Sequence, residues 1–269
     1  MHNLNRSQSF DRIDVDFFVR NWPDQPVKMT VSDITIGHLA EGVTHLHELG
    51  IQIQCNLAQG VDWSEPEHLG TLAAELDKLI SFYTENPAVA PCDLLTMHLA
   101  SVGGICREGR ELSGIGEHES RKWCGIGTDL VAVDVDGREY PCHLFLPFAA
   151  GDRSETFRNA DFADCRSLLD PRCRECILLP VCPTCYGMSL LRRGNAAERD
   201  EPLCTLTNLR ALACSNMQAR MLADRDRYPQ FRDSSEEVIL FTIMGIEAVQ
   251  SGIRIPPASE SMSRVCPVA

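Results

Sequence analysis

Cys173-Arg-Glu-Cys-Ile-Leu-Leu-Pro-Val-Cys-Pro-Thr-Cys185 places four thiols in thirteen residues, spaced Cys-x2-Cys-x5-Cys-x2-Cys. Thiolates this close together select zinc or an iron–sulfur cluster over hard cations. A zinc ribbon separates its two Cys-x2-Cys knuckles by roughly 15–20 residues. Here five intervene, too few for two independent knuckles to fold around one small ion. A larger cluster, with its iron corners spread apart, tolerates compact and interleaved ligation, and Pro180 and Pro183 stiffen the loop. Neither Cys-x2-Cys pair is expected to open a helix after a strand, which argues against a thioredoxin-type redox pair. The spacing favours an iron–sulfur site. Zinc is the alternative, and merely buried or redox thiols are the blandest reading.

Composition narrows the setting. A chain of 269 residues is long enough for one large domain or two small ones, and 44% hydrophobic content is ordinary for a globular protein. The formal charge of −13 would repel a polyanion, so nucleic acid is not an expected partner. Thirteen cysteines fall short of the roughly 8–10% of a disulfide scaffold, and their number is odd. The first residues lack the apolar core of a secretory signal, and the longest apolar run, residues 238–246, is too short to span a bilayer. A reducing cytoplasm is the expected location, with no membrane partner.

Around the cysteine loop the chain reads as three stretches: residues 1–105, 106–205 and 206–269. The first alternates strand and helix patterns. Val27-Lys-Met-Thr-Val31 is a strand, Ser32 or Asp33 is expected to cap a helix over 36–49, and Gly50 stops it. Ile51-Gln-Ile-Gln-Cys-Asn-Leu57 is a strand, 66–83 a helix and 93–99 a further strand. Such alternation implies parallel pairing and an α/β fold. In the second stretch Leu130-Val-Ala-Val-Asp-Val135, Asp136-Gly137 and Arg138-Glu-Tyr-Pro-Cys142 predict a tight hairpin. The third is helical over 206–224 and 234–250, with a Pro-rich tail.

Cys124-x12-Gly137-x4-Cys142, then the four-cysteine loop, then Cys204 resemble the SPASM domain. That is the C-terminal domain holding auxiliary [4Fe–4S] clusters in radical S-adenosylmethionine (radical SAM) enzymes. Trp123-Cys-Gly-Ile-Gly127, Val133-Asp-Val-Asp-Gly137 and Tyr140-Pro-Cys-His143 are similar to the same family. The first stretch resembles the later half of a radical SAM (β/α) barrel, with Ser9-Phe10 like the residues after its third strand. The implied fold is a partial barrel, a small α+β SPASM-like iron–sulfur domain and C-terminal helices.

Carried over by resemblance, one auxiliary cluster takes Cys124, Cys142 and Cys185, and the other Cys173, Cys176, Cys182 and Cys204. Ser32, at a barrel strand's C-terminal end, is a candidate contact for S-adenosylmethionine in a complete enzyme, with helix capping as its plainer role. Three departures matter. The family usually has three residues between its third and fourth loop cysteines, where Cys182 and Cys185 have two. No cysteine lies between Cys124 and Cys142, so Cys106 or Cys165 fills the first cluster's fourth position or that position stays open. The Cys-x3-Cys-x2-Cys motif of the SAM-cleaving cluster is absent: Cys55, Cys92 and Cys106 do not have that spacing. The chain is therefore expected to begin past that motif, as a truncated product, a split-enzyme half or a degenerate partner.

Several weaker signals have plain readings. Asp134-x-Asp136-Gly137 fits a hairpin turn better than a calcium loop, which needs further ligands and a closing Glu. His38 and His45 stand seven residues apart, too far for simple bidentate ligation. His143 follows a candidate ligand where sulfatase-maturing relatives carry an Asp used as a base, so ribosomal-peptide maturation is the nearer expectation, with a hydrogen bond behind the ligand or simple packing as the plainer role of His143. Gly125-x-Gly127 lacks the third glycine of a dinucleotide fingerprint. The resemblance implies two auxiliary clusters and part of the wall for a peptide or protein substrate, in company with a complementary N-terminal barrel chain. A non-enzymatic iron–sulfur partner and a zinc-stabilised module are the alternatives.

Overall fold

Parallel strands need a crossover, and the chain supplies one between β1 (Val27–Val31) and β2 (Ile53–Leu57). Val27 faces Ile53 and Val31 faces Leu57 in the ladder, with α2 (Leu39–Glu48) making the crossing after α1 (Val15–Asn21). In the computed structural model the described residues are 12–108, 124–127, 129–157, 162 and 168–254, with the side chains of 105–108, 156 and 157 outside the description. Ser9-Phe10, Cys165 and the Pro-rich tail lie outside the described residues. Gly50, at φ +76°, ends α2 in the left-handed conformation that favours glycine. α2 is not capped by Ser32 or Asp33. Ser32 instead closes a turn with Thr35, its N–H donating to Thr35 Oγ1 at 2.9 Å. Glu75, buried on α3 (Pro66–Glu85), accepts the Ala40 N–H at 2.8 Å, placing a carboxylate at the positive end of α2.

The strand expected over 93–99 is a tight turn, Asp93–Leu95, followed by α4 (Leu99–Glu108). Apolar alternation at Leu95, Met97 and Leu99 imitates a strand, and all three are buried. Their backbone is nevertheless served by side chains rather than by a neighbouring strand. Asp93 Oδ1 accepts the Cys55 N–H at 2.6 Å. From α6 (Glu201–Ala223), reached after α5 (Tyr186–Arg193), Arg210 Nη2 donates to Asp93 O at 2.9 Å. Gln218 Nε2 donates to Met97 O at 2.7 Å. The predicted hairpin forms, with β3 (Ala132–Val133) antiparallel to β4 (Glu139–Tyr140) and Asp134 Oδ1 accepting the Asp136 and Arg138 N–H groups in its turn. The helix expected over 206–224 starts earlier, so Cys204 lies in its first turn. α7 (Glu236–Gly252) is capped by Ser235, whose hydroxyl accepts the Val238 N–H.

The described residues thus form a mixed helix and sheet structure with two-stranded sheets and no closed barrel. Apolar burial divides them into two cores. The larger joins β1, β2, α2, α3 and α4 to α6 and α7, and takes in Leu178 and Val181 from the cysteine loop. The smaller gathers Ile126, Tyr140, Cys142, Phe145, Phe162, Tyr186 and Leu190 around the hairpin and α5. Among the described residues, no helix is long and apolar enough to cross a membrane.

α4 and α7 meet backbone to backbone. A Cβ at Gly103 would fall 1.9 Å from Phe241 O, and one at Gly245 would fall 2.0 Å from Leu99 O. Either added methyl must push the two helices apart. Gly103→Ala is expected to destabilise the protein by about 3 kcal/mol, as overpacking of a close contact does. Gly70→Ala, at an exposed α3 position with open space around it, should be neutral or stabilising by up to about 1 kcal/mol. Thermal denaturation of the two variants beside the parent checks both.

Candidate metal centre

The cysteine loop is a run of tight turns seated between the two cores. Asp170 starts it, capping the turn Pro171–Cys173, and backbone bonds from Cys176 N to Cys173 O, Leu179 N to Cys176 O and Val181 N to Leu178 O continue it. Leu178 and Val181 anchor the middle in the larger core, while Tyr186 and Leu190 fix the following helix in the smaller one. Cys185 is the residue that precedes α5, so the second Cys-x2-Cys opens a helix, but not one that follows a strand.

This seating brings several thiols within electrostatic reach of one another. Cys142 feels the charges of Cys185 and Cys124, and Cys185 that of Cys124. Cys204 feels Cys182 and Cys173. The hairpin, the loop and the first turn of α6 contribute, so thiols far apart in the chain, such as Cys124 and Cys185, are brought together. Cys176 sits half-buried against the larger core, its N–H bonded to Cys173 O. Cys124 is exposed and Cys142 is buried.

Cys182, Cys185 and Cys204 are half-buried residues with inward-facing sulfurs, and desolvation pushes each thiol up, Cys204 to about 12. Polar hydrogens oppose this. Leu144 N–H donates to Cys142 Sγ at 3.3 Å, and Thr184 Oγ1 to Cys182 Sγ at 3.8 Å. The Gly187 and Met188 amides at the start of α5 face the Cys185 sulfur, without a capping hydrogen bond. Amides and hydroxyls turned toward sulfur are what a ligated thiolate needs.

Among the described residues, no group of three or more His, Cys, Asp or Glu side chains is arranged to hold a metal ion. The thiols are soft donors of the kind that zinc and iron–sulfur clusters take.

The remaining candidates fall elsewhere. Ser32 lies at the end of β1, engaged with Thr35. Cys106 is on α4, its side chain outside the description. His143 is exposed, and His38 and His45 are paired on their own helix with Glu41 and Glu48. Cys55, Cys92 and Cys214 form another thiol group inside the larger core. Burial raises all three, Cys214 to about 11, and such thiols are inert packing residues.

Sequence reading missed the clamp that holds Cys173 near Cys204. Buried Asp170 accepts from Arg172 N, Nε and Nη2 and from Arg199 N, at 2.8–3.1 Å. Glu201 accepts from both guanidinium groups, at 2.7 Å from Arg172 and 3.1 Å from Arg199. Alternating Asp-x-Arg and Arg-x-Glu was the available signal, 29 residues apart. No protein family, curated protein or solved structure matches the chain.

Hydrogen bonding from Arg172 holds the Asp170 carboxyl well below the usual carboxylate range. A depressed folded value stabilises the fold above the unfolded value near 4 and loses that contribution as pH falls through the folded value. Asp170→Asn should therefore cost about 2 kcal/mol at pH 7. The gap from the parent should narrow steadily below about pH 4. Urea titrations at neutral and acidic pH measure both.

Proposed function

We propose that this chain is an iron–sulfur protein of the radical SAM/SPASM kind, carrying two auxiliary [4Fe–4S] clusters and part of the wall for a peptide or protein substrate. The observation that carries the reading is that Cys142 lies within electrostatic reach of Cys185 and Cys124, and Cys204 within reach of Cys182 and Cys173. Those are the crossed sets the resemblance implies, and Cys176 would join the second. Bound there, the clusters would supply electron transfer or an open iron for a ligand. The chain's own residues bring the thiols near one another and turn amides and a hydroxyl toward Cys142, Cys182 and Cys185.

On this reading β1, α2, β2 and α3 are two units of a (β/α) barrel half. Both outer edges of the β1–β2 pair lack strand neighbours among the described residues, which suits a complementary barrel chain. None of the thirteen cysteines has the Cys-x3-Cys-x2-Cys spacing, so cleavage of S-adenosylmethionine is assigned to that chain. The same absence favours a second reading, a non-enzymatic iron–sulfur partner of a separate SAM-cleaving protein.

Anaerobically reconstituted protein should be brown and hold more iron and sulfide than one [4Fe–4S] cluster requires; stoichiometric zinc with negligible sulfide would reject the assignment. Cys176→Ala and Cys204→Ala should lower iron content and loosen the fold, because ligand binding and folding share free energy. Cys55→Ala and Cys92→Ala should leave iron unchanged. With dithionite and S-adenosylmethionine, the chain alone should release no 5′-deoxyadenosine, by chromatography. Release only after adding an N-terminal barrel half would support the split enzyme over the non-enzymatic partner.

A further inference from the structure

A cleft of about 550 Å³ runs between the end of β2, the segment after Asp93, the cysteine loop and one flank of α6. Its floor is apolar, with Val181, Met188, Leu203 and Leu206, and Cys185 stands on its wall. The two ends are polar and opposite in character.

At one end is Asp200, the residue that precedes α6, with its side chain 4% exposed. Arg192 approaches Oδ2, with Nε at 3.6 Å, and is itself tied to Val61 O through Nη2 at 2.7 Å. Asp200 Oδ1 is buried without a hydrogen-bond partner. A buried carboxylate oxygen in that state is costly unless a donor reaches it. At the other end is Arg210. Its Nε and Nη2 are held by the Leu94 and Asp93 carbonyls, and no carboxylate pairs with it among the described residues. Asp93 directs Oδ1 to the Cys55 N–H instead. One end has a carboxylate oxygen without a donor, and the other has a guanidinium without a carboxylate.

Asp200 and Arg210 are ten positions apart on the same helix flank, about 15 Å along the axis. An extended chain rises about 3.3 Å per residue, so about five residues bridge the two ends. We propose that the cleft binds a short extended peptide segment in one charge order, with an ammonium or amide donor on Asp200 Oδ1, apolar side chains over Leu203 and Leu206, and a carboxylate on Arg210. The inference rests on the peptide-substrate reading above and adds residue-level selectivity to it. Specificity of this kind comes from buried polar groups that the wrong ligand leaves unpaired.

The test uses the pentapeptide Lys-Leu-Gly-Leu-Glu, blocked at both termini. Norleucine replaces Lys in a second peptide, Gln replaces Glu in a third, and both replacements are made in a fourth. Binding is followed calorimetrically on iron-loaded and iron-free protein. The first peptide is expected to bind at least tenfold tighter than the fourth, with the second and third between them. Asp200→Asn should erase the preference for Lys over norleucine, and Arg210→Gln the preference for Glu over Gln. Equal binding of all four peptides, or no binding of any, overturns the proposal. The four peptides on the parent protein decide this even if a variant fails to fold. Preference for the charged ends by protein that never takes up iron supports the cleft while rejecting the maturase. Iron-bearing protein blind to the charged ends overturns the cleft and leaves the cluster assignment standing.

Discussion

α6 is the element on which the rest of the molecule depends, because its polar side chains serve a backbone segment that pairs with no strand among the described residues. Arg210, Cys214 and Gln218 reach the carbonyls of Asp93, Leu94 and Met97. A buried carbonyl left without a donor is expensive, so these bonds fix the rotation and height of the helix against the larger core. Once α6 is fixed, so are Asp200 and Cys204 at its start and Arg210 on its flank. Its burial on nearly every side follows from the same position, between α3 on one side and α7 on the other.

The cysteine loop is held by three different forces, each acting at a different place. Leu178 and Val181 are buried in the larger core, the Asp170 network ties the loop's first turn to Arg199 and Glu201, and Tyr186 locks its end into the smaller core. These anchors hold the loop's turns against both cores. The close crossing of α4 and α7 does similar work for the larger core, where two glycines permit a contact that no side chain would.

Electrostatics connects this scaffold to its proposed cargo. Burial pushes the Cys142, Cys182, Cys185 and Cys204 thiols up. Loading such sites displaces protons, and the free energy of loading is shared with folding. The hairpin bearing Cys142 belongs to the smaller core and Cys204 to a helix of the larger one. Ligation across the loop would therefore fasten the two cores to each other as well as hold the cluster.

By itself the sequence determined the local structure and the chemistry of the donors. Val27–Val31, the α2 stop at Gly50, the Asp136-Gly137 turn and the long α3 were legible because each rests on residues near in the chain. The density and softness of the thiols were legible for the same reason. Tertiary structure decided what depends on distant partners. Residues 93–99 carry a strand's alternation, yet side chains more than a hundred positions away take their carbonyls and make them a turn and a helix. Glu75 replaces the nearby serine as the cap of α2 because the packing of α3 delivers a carboxylate to its amides. The orphan oxygen of Asp200 and the clamp around Asp170 likewise exist only once α6, α5 and the loop are in contact. Spacing along a chain reports which groups are available; packing decides which of them meet.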